Sequence, residues 1–401
     1  MLKKIAVLLY GPAFGHIIAL MLTPYFMSKY NPSYFGEYAF FIAINGILLA
    51  FSCFRLDAVL LICEKENSKK IFLLGGGVSI TFTMLLFMTA LAFEYEHSLS
   101  LVFSMLSQSL LLLISSLLLR EDRHAVVSFF RFVFTSTIPL AQLLLTFYSF
   151  PSALIMGHVM SSLLLILMFI IYFLRFYRWA SFGSEIKYFD LLNRYRDYLL
   201  INTPSVLLNS CSSQFLPLSI KFLFGESVLG VVNVLQRLFV TPLNFLFRII
   251  IQVYNKELSE FINCSKYIKA KKLFLFTSVF CSMSSIMYCV VLLIVVVLFR
   301  ERILGNTEWG VYISFLYPFV FLLIIQGLVI PISQSLTFLN AHKQQLIIET
   351  YRLVFLFFIF IIFYLVQGKA IMFINFYVAL QSMVYVYLFF SIKKLLNLRS
   401  D

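Results

Sequence analysis

Residues 152–174 read SALIMGHVMSSLLLILMFIIYFL, and none of these residues is Asp, Glu, Lys or Arg. A helix needs about 20 apolar residues to cross the roughly 30 Å hydrocarbon core of a bilayer. This stretch is therefore long and apolar enough to span a membrane as a single helix. Similar runs recur along the whole chain, which predicts an all-α polytopic membrane protein.

The composition of the 401-residue chain agrees with many such spans. Hydrophobic residues make up 61% of the chain, charged residues make up 12%, and the mean hydropathy is +0.95. Soluble chains carry about 25% charged residues. These values exclude a soluble enzyme, a DNA-binding domain and a secreted disulfide scaffold. The cysteines and histidines show neither metal-ligand nor redox spacing, so we expect no metal and no cofactor.

Reading the chain at about 20 residues per span gives about twelve candidate transmembrane helices. They lie near 6–27, 35–54, 71–93, 99–119, 126–149, 152–174, 198–222, 227–253, 273–299, 310–337, 350–366 and 370–391. With a cytoplasmic N-terminus, the positive-inside rule is obeyed by most of the basic residues. The outside loops then hold only Lys29, Lys221, Arg300, Arg302 and Lys369. Both termini are therefore predicted to be cytoplasmic, and the net charge of +13 requires no nucleic-acid partner.

The longest polar connection, 175–197, divides the predicted spans six and six, which predicts two lobes at residues 1–185 and 186–401. Tyr34-Phe35-Gly36-Glu37-Tyr38 opens the second span, and Leu223-Phe224-Gly225-Glu226-Ser227 opens the eighth. This echo favours a parallel pseudo-repeat of two six-helix lobes around a central cavity, as in secondary transporters. A turn type shared by two outside loops is the alternative explanation of the echo.

The eighth predicted span carries the most informative polar pattern. Its polar residues recur every three or four positions and are Asn233, Arg237, Thr241, Asn244, Arg248 and Gln252. At about 100° per residue they form one stripe along a helix. An arginine that faces lipid costs at least about 2.5–3.5 kcal/mol, so we expect the stripe to face a water-filled cavity. Arg237 lies about 15 Å from the helix start, whereas Arg248 is close enough to the inner end to snorkel to the headgroups.

Other spans carry weaker polar patterns. Asn202 and Asn209 share a face of the seventh span, and Gln326 lies in the tenth. For each of these side chains, as for Arg237, a hydrogen bond between helices is the alternative role. No Asp or Glu lies deep in a span by these bounds, which argues against a proton-driven pump. The charged stretch 120–123 is interpreted as a solvated inside loop.

Three stretches carry a resemblance to a known family. They are Arg55–Leu61 at the end of the second span, Leu223–Leu258 around the eighth, and Leu304–Gly310 before the tenth. In order and spacing they resemble bacterial polysaccharide flippases, including O-antigen flippases, of the multidrug/oligosaccharidyl-lipid/polysaccharide exporter superfamily. Two positions depart from the family pattern. Leu56 stands where an aromatic residue is usual, and Asn255-Lys256 interrupts a Tyr-Pro-Glu-Leu-like ending.

The resemblance implies a transporter rather than an enzyme. Such a flippase moves a polyprenyl-pyrophosphate-linked oligosaccharide, such as an O-antigen repeat unit, from the cytoplasmic to the periplasmic leaflet of the inner membrane by alternating access. Arg237 and Arg248 would pair the phosphates, and amide and hydroxyl side chains would bond the sugars. The expected substrate-binding set is Arg237, Arg248, Asn233, Asn244, Thr241, Gln252, Asn202, Asn209, Gln326, Arg55 and Asp57.

The expected partners are the lipid-linked glycan, the lipid bilayer and a polysaccharide polymerase. Two alternative functions remain open. One is an integral-membrane polysaccharide polymerase or glycosyltransferase, against which the short predicted outside loops argue. The other is a cation-coupled small-molecule exporter of the same superfamily.

Overall fold

The computed structural model describes residues 2–175, 188–298, 309, 314–339 and 341–398. Nearly all of these residues are helical, and the described part of the chain contains no strand. Eight described helices are long and apolar enough to cross a membrane, and Leu316–Ile332 is a shorter apolar one. The predicted fold class, an all-α polytopic membrane protein, is confirmed.

The first part of the chain forms helices that match the first six predicted spans. They are α1 (Leu2–Lys29), α2 (Pro32–Phe51), α3 (Leu56–Ile62), α4 (Ser68–Ala92), α5 (Ser98–Arg120), α6 (His124–Phe147) and α7 (Ala153–Arg175). A 3₁₀ turn, Lys65–Asn67, joins α3 to α4. The short helix α3 has no counterpart among the predicted spans, because its 7 residues are too few to cross a bilayer.

The second part of the chain contains two interrupted helices. Its helices are α8 (Tyr188–Arg194), α9 (Arg196–Phe224), α10 (Glu226–Leu235), α11 (Thr241–Asn263), α12 (Tyr267–Leu298), α13 (Leu316–Val329), α14 (Ser335–Phe338), α15 (His342–Val366) and α16 (Ala370–Leu398). A π-helical turn, Gln236–Val240, joins α10 to α11. A 3₁₀ turn, Ile330–Ile332, follows α13. The eighth and tenth predicted spans are therefore both broken within their length.

The helices form two compact units. The first unit comprises Met1–Lys29 and Tyr38–Gln214, and the second comprises Tyr30–Glu37 and Phe215–Asp401. The N-terminal end of α2 thus belongs to the second unit, and the rest of that helix belongs to the first. The lobe boundary expected between residues 185 and 186 lies outside the described residues, so the division into residues 1–185 and 186–401 stays a prediction.

The core of the first unit lies among α3 to α7. Leu56 of α3, Leu113 of α5 and Phe130 of α6 are buried in one apolar cluster. Large apolar side chains also cover the outer surface, as Met84 and Leu85 of α4 illustrate. An extended exposed apolar surface of this kind suits contact with lipid rather than with water.

The core of the second unit consists of two apolar clusters. One joins Tyr254 of α11 to Phe274 of α12 and Ile392 of α16. The other joins Phe239 of the π turn to Leu323 of α13. The broken eighth span is therefore attached to its own unit through both clusters.

The N-terminal ends of α2 and α10 cross at very short range within the second unit. A Cβ added at Gly36 would lie 1.9 Å from the carbonyl oxygen of Glu226, and one added at Gly230 would lie 1.7 Å from that of Pro32. Only glycine lets two backbones approach so closely. Gly36 and Glu226 belong to the two Phe-Gly-Glu tripeptides of the sequence, so the tripeptides that echo each other meet at this crossing.

Candidate functional site on the broken eighth span

The polar stripe of the eighth span lies on a helix that is broken by a π turn. Pro242, just after the turn, has no N–H, so the Leu238 carbonyl loses the donor four residues further on. The Tyr288 hydroxyl of α12 donates to that carbonyl at 2.8 Å. The eighth span is thus interrupted by a π turn, a feature that is frequent at functional sites.

One face of this helix packs into the core of the second unit. Phe239, Leu243 and Phe247 recur every four residues and are at most 1% exposed. They share an apolar cluster with Cys281 of α12 and Leu323 of α13. The burial of this apolar face directs the polar stripe away from the core of the unit.

Four residues of the predicted site lie along the other face. Asn233, Arg237, Thr241 and Asn244 are all half-buried. The Thr241 hydroxyl donates to the Gln236 carbonyl at 3.3 Å, five residues back. The side-chain oxygen of Asn233 is buried without a hydrogen-bond partner among the described residues. Such an oxygen costs about 1–3 kcal/mol, which a ligand hydroxyl would recover.

The π turn alters the spacing of the stripe. A turn of this kind adds about one residue, so every later position rotates by about 100° relative to a regular helix. By this rotation Asn244 lies further from Asn233 around the helix than the uniform periodicity predicted and Thr241 lies closer, so the assumption of one regular helix was wrong. The stripe stays on the side of the helix opposite the buried Leu243.

The remaining members of the predicted set are scattered over the two units. The side chains of Arg248, Gln252 and Asn202 lie outside the described residues. Asn209, on α9 in the first unit, is exposed, and Gln326, on α13 in the second, is half-buried. In the described part of the second unit, the stripe residues therefore lie on the broken eighth span, and Gln326 lies on α13.

Arg55 and Asp57 lie where α2 gives way to α3, in the first unit. The Arg55 guanidinium lies 3.5 Å from the Asp57 carboxylate. Phe54 and Arg55 have φ of 45° and 61°, and left-handed residues cannot continue a right-handed helix. The segment Leu56–Ile62 is therefore a separate short helix, whereas the resemblance placed it at the end of the second span.

Arg120 has a role that the sequence did not reveal, and its assignment to a solvated loop was wrong. From α5 its guanidinium donates to the carbonyl of Leu60 at 2.6 Å and to that of Cys63. These carbonyls end α3, where a cationic donor satisfies orphan acceptors and opposes the helix dipole. Burial raises the pKa of the Cys63 thiol above its ordinary value, and the Arg120 guanidinium opposes that rise.

Polar groups at the break in the tenth span also form hydrogen bonds with neighbouring helices. The Ser278 hydroxyl of α12 donates to the Leu328 carbonyl at 2.6 Å. The hydroxyls of Tyr254 and Ser335 share a hydrogen bond of 2.6 Å. Polar groups near this break are thus bonded to α11 and α12, so packing accounts for them.

A carboxylate lies inside the eleventh span, contrary to the expectation of no deep acidic residue. Helix α15 begins at His342 rather than near residue 350, so Glu349 is about two turns inside it. Its side chain is 15% exposed and pairs with Arg352 at 3.2 Å. Hydropathy alone set the start of the span too late, because polar residues continue the helix before the apolar run.

Several solved structures share this fold. The inward-facing conformation of a multidrug resistance MATE family transporter of the MOP superfamily aligns with 100% of this chain and 94% of its own, at 14% identity and a TM-score of 0.63. The chain has the MATE transporter fold. An outward-facing conformation of a transporter with the same family description aligns with 100% of this chain and 96% of its own, at 14% identity and a TM-score of 0.58.

A third structure with the MATE transporter fold comes from Pyrococcus furiosus Vc1 (DSM3638). It is a MOP superfamily transporter, described with the statement that reverse polarity of its binding pocket suggests a different function. It aligns with 100% of this chain and 97% of its own, at 14% identity and a TM-score of 0.60. No family model matches the chain, and neither does any curated protein sequence. At this identity the likeness establishes the fold, and the substrate has to be argued from the residues of the site.

Proposed function

We propose that this protein is a flippase for a polyprenyl-pyrophosphate-linked oligosaccharide. The observation that carries the proposal is the polar stripe on the broken eighth span, which combines a guanidinium with amide and hydroxyl groups. Its opposite face is buried in the second unit, so the stripe faces away from the core of that unit, where it would line a cavity. In a protein with a transporter fold, such a cavity would bind the substrate during transport.

The chemistry of the stripe favours an anionic, hydroxyl-rich substrate. A guanidinium pairs with phosphate oxygens through two parallel hydrogen bonds. Asn233 and Asn244 offer amide donors and acceptors that match sugar hydroxyls. Arg237 would therefore pair the pyrophosphate, and Arg248 would assist it from further along the same helix.

Alternating access is the transport mechanism that we propose. Similar structures have been solved in an inward-facing and an outward-facing conformation. The glycan and pyrophosphate would enter between two lobes from the cytoplasmic side of a bacterial inner membrane, while the polyprenyl tail stays in lipid. Rocking of the lobes would then open the stripe to the periplasmic side, where a polysaccharide polymerase would take over the product.

A second candidate is a cation-coupled exporter of small molecules. The observation that favours it is Glu349, a largely buried carboxylate inside α15, a helix long and apolar enough to cross a membrane. Buried carboxylates in membrane helices serve as ion and proton sites in many transporters. The partner Arg352 already neutralises this carboxylate, so we rank the exporter below the flippase.

The proposed function is tested in a strain that lacks this gene. Lipid extracts should contain an increased pool of complete polyprenyl-pyrophosphate-linked repeat units on the cytoplasmic leaflet, and surface glycan should be lost. Arg237→Ala, expressed in that strain, should insert normally and fail to restore surface glycan. Arg194→Ala serves as the matched control, because Arg194 is exposed on the short helix α8 and lies outside the stripe.

Three results would count against the proposal. Normal surface glycan with Arg237→Ala would remove that residue from the mechanism. Unpolymerised units on the periplasmic leaflet would indicate a polymerase. Unchanged pools together with export that fails in Glu349→Gln would indicate the small-molecule exporter.

A further inference from the structure

A long apolar groove lies between α15 and α16 of the second unit and shares no residue with the polar stripe. Its volume is about 710 Å³. It runs from Ile347 and Tyr387 at one end to Ile359 and Phe376 at the other. From residue 347 to residue 359 helix α15 rises about 18 Å, which is close to the depth of one leaflet of the hydrocarbon core.

A buried cation lies in the wall of this groove. Arg352 is the charged member of the described lining and is 9% exposed. Its guanidinium contacts Glu349 and lies 5.8 Å from the centre of the Tyr385 ring. Its Nε atom has no hydrogen-bond partner among the described residues. Because a guanidinium has five donors in a fixed fork, Arg352 retains donors for an anion.

Two further cations mark one end of the groove. Lys343 precedes Ile347 by one helical turn and shares its face of α15, and Lys394 follows Tyr387 by two turns on α16. Both lysines are exposed. The positive-inside rule places this end on the cytoplasmic side. Three cations against the single carboxylate of Glu349 give this end a positive balance that attracts an anionic headgroup.

We propose that the groove holds the single isoprenoid chain of a polyprenyl pyrophosphate lipid from the cytoplasmic leaflet. Lys343 and Lys394 attract its headgroup, and Arg352 pairs the phosphate nearest the chain. The lining between the two helices is almost entirely apolar, as contact with a hydrocarbon chain requires, and the test below separates an isoprenoid chain from a diacyl phospholipid. The choice of this lipid rests on the proposed function, which the groove extends with a capture site that precedes the polar stripe.

The test measures binding of polyprenyl pyrophosphate without a glycan to the purified full-length chain by native mass spectrometry. Ala379→Trp fills the groove, and Val386→Trp places the same side chain on the same helix outside the groove lining. We expect Ala379→Trp to weaken binding by about tenfold or more because the chain loses its apolar contacts, and Val386→Trp to leave binding unchanged.

A second variant tests the cation. The double substitution Glu349→Gln with Arg352→Gln removes both charges and leaves no buried carboxylate unpaired. We expect about a tenfold loss of lipid binding, as for one charge-assisted hydrogen bond. Undiminished binding in this variant and in Ala379→Trp would overturn the proposal. Equal displacement of the probe by diacyl phosphatidylglycerol would overturn it as well, in favour of a general lipid surface.

The same variants separate this inference from the proposed function. Arg237→Ala should fail to export glycan, and Ala379→Trp added to Arg237→Ala should still weaken binding of polyprenyl pyrophosphate. Normal export by Arg237→Ala, with binding still lost in Ala379→Trp, would refute the role of the stripe and keep the groove. Probe binding that Ala379→Trp leaves unchanged, with export still lost in Arg237→Ala, would refute the groove and keep the stripe.

Discussion

The close crossing of α2 and α10 predicts a large effect from a single methyl group. In Gly230→Ala the new Cβ would lie 1.7 Å from the Pro32 carbonyl oxygen and 2.9 Å from the backbone nitrogen of Gly36. Both neighbours are backbone atoms, which cannot rotate away as a side chain can. The two helices therefore have to separate by about 1 Å or more for the methyl group to fit.

The expected magnitude is the difference between two effects. Alanine in place of glycine favours a helix by about 1 kcal/mol. Overpacking of a tight contact costs about 1–3 kcal/mol and sometimes more, and a clash with backbone belongs at the upper end of that range. We therefore expect Gly230→Ala to destabilise the protein by about 2 kcal/mol, which lowers an apparent melting temperature by about 4 °C. In Gly36→Ala the new Cβ would lie 1.9 Å from the Glu226 carbonyl oxygen, so we expect a similar loss of stability.

The assay is the loss of monodisperse protein on heating in detergent, followed by size-exclusion chromatography at one fixed heating rate. Gly76→Ala and Gly77→Ala are matched controls in α4, where an added Cβ meets no atom within 4 Å. Both controls should be neutral or slightly stabilising. Since Gly36 and Gly230 share one crossing, their double substitution should cost less than the sum of the single ones. Melting temperatures for Gly36→Ala and Gly230→Ala that match those of the controls would refute the close crossing.

Three further predictions concern the helix breaks. Tyr288→Phe leaves the Leu238 carbonyl without its donor and should cost about 1–3 kcal/mol in the same heating assay, whereas an unchanged melting temperature would exclude this hydrogen bond. Cys63 is buried and its thiol pKa is raised, so fewer thiolates are present near pH 8. In single-cysteine variants maleimide should therefore modify it far more slowly than the exposed Cys264. Arg120→Ala leaves the Leu60 and Cys63 carbonyls without their donor and should lower the melting temperature in the heating assay, and an unchanged melting temperature would contradict the capping role.

Hydropathy and charge predicted the helices well because both respond to the bilayer directly. A long apolar run must form a helix in lipid, since every backbone group has to be satisfied internally. The span predicted at 152–174 is thus α7, Ala153–Arg175. The start of α15 at His342 was missed for the same reason, because the polar turns before its apolar run carry no hydropathy signal.

Features that depend on contacts between distant residues could not be predicted from the pattern. The positive-inside rule predicts a basic residue such as Arg120 at the cytoplasmic end of any span. Its role as a cap depends on the position of α3, whose last carbonyls accept its hydrogen bonds. The periodicity of the stripe predicted a polar face on the eighth span. It could not reveal the π turn, because the effect of Pro242 depends on Tyr288 lying opposite the freed carbonyl.

The end of α3, the π turn and the end of α13 are all stabilised by a hydrogen bond from another helix. At each of them a side chain from one helix donates to a backbone carbonyl of another helix in the same unit. The donors are Arg120 at the end of α3, Tyr288 at the π turn and Ser278 at the end of α13. Away from water an unsatisfied carbonyl costs several kcal/mol, so these breaks persist only while their donors stay in place. Because Tyr288 and the buried face of Phe239 both tie the π turn to α12, Arg237 is held against its own unit rather than carried on a loose hinge. Any motion that exposes the stripe to a different side of the membrane should therefore move α10, α11 and α12 together.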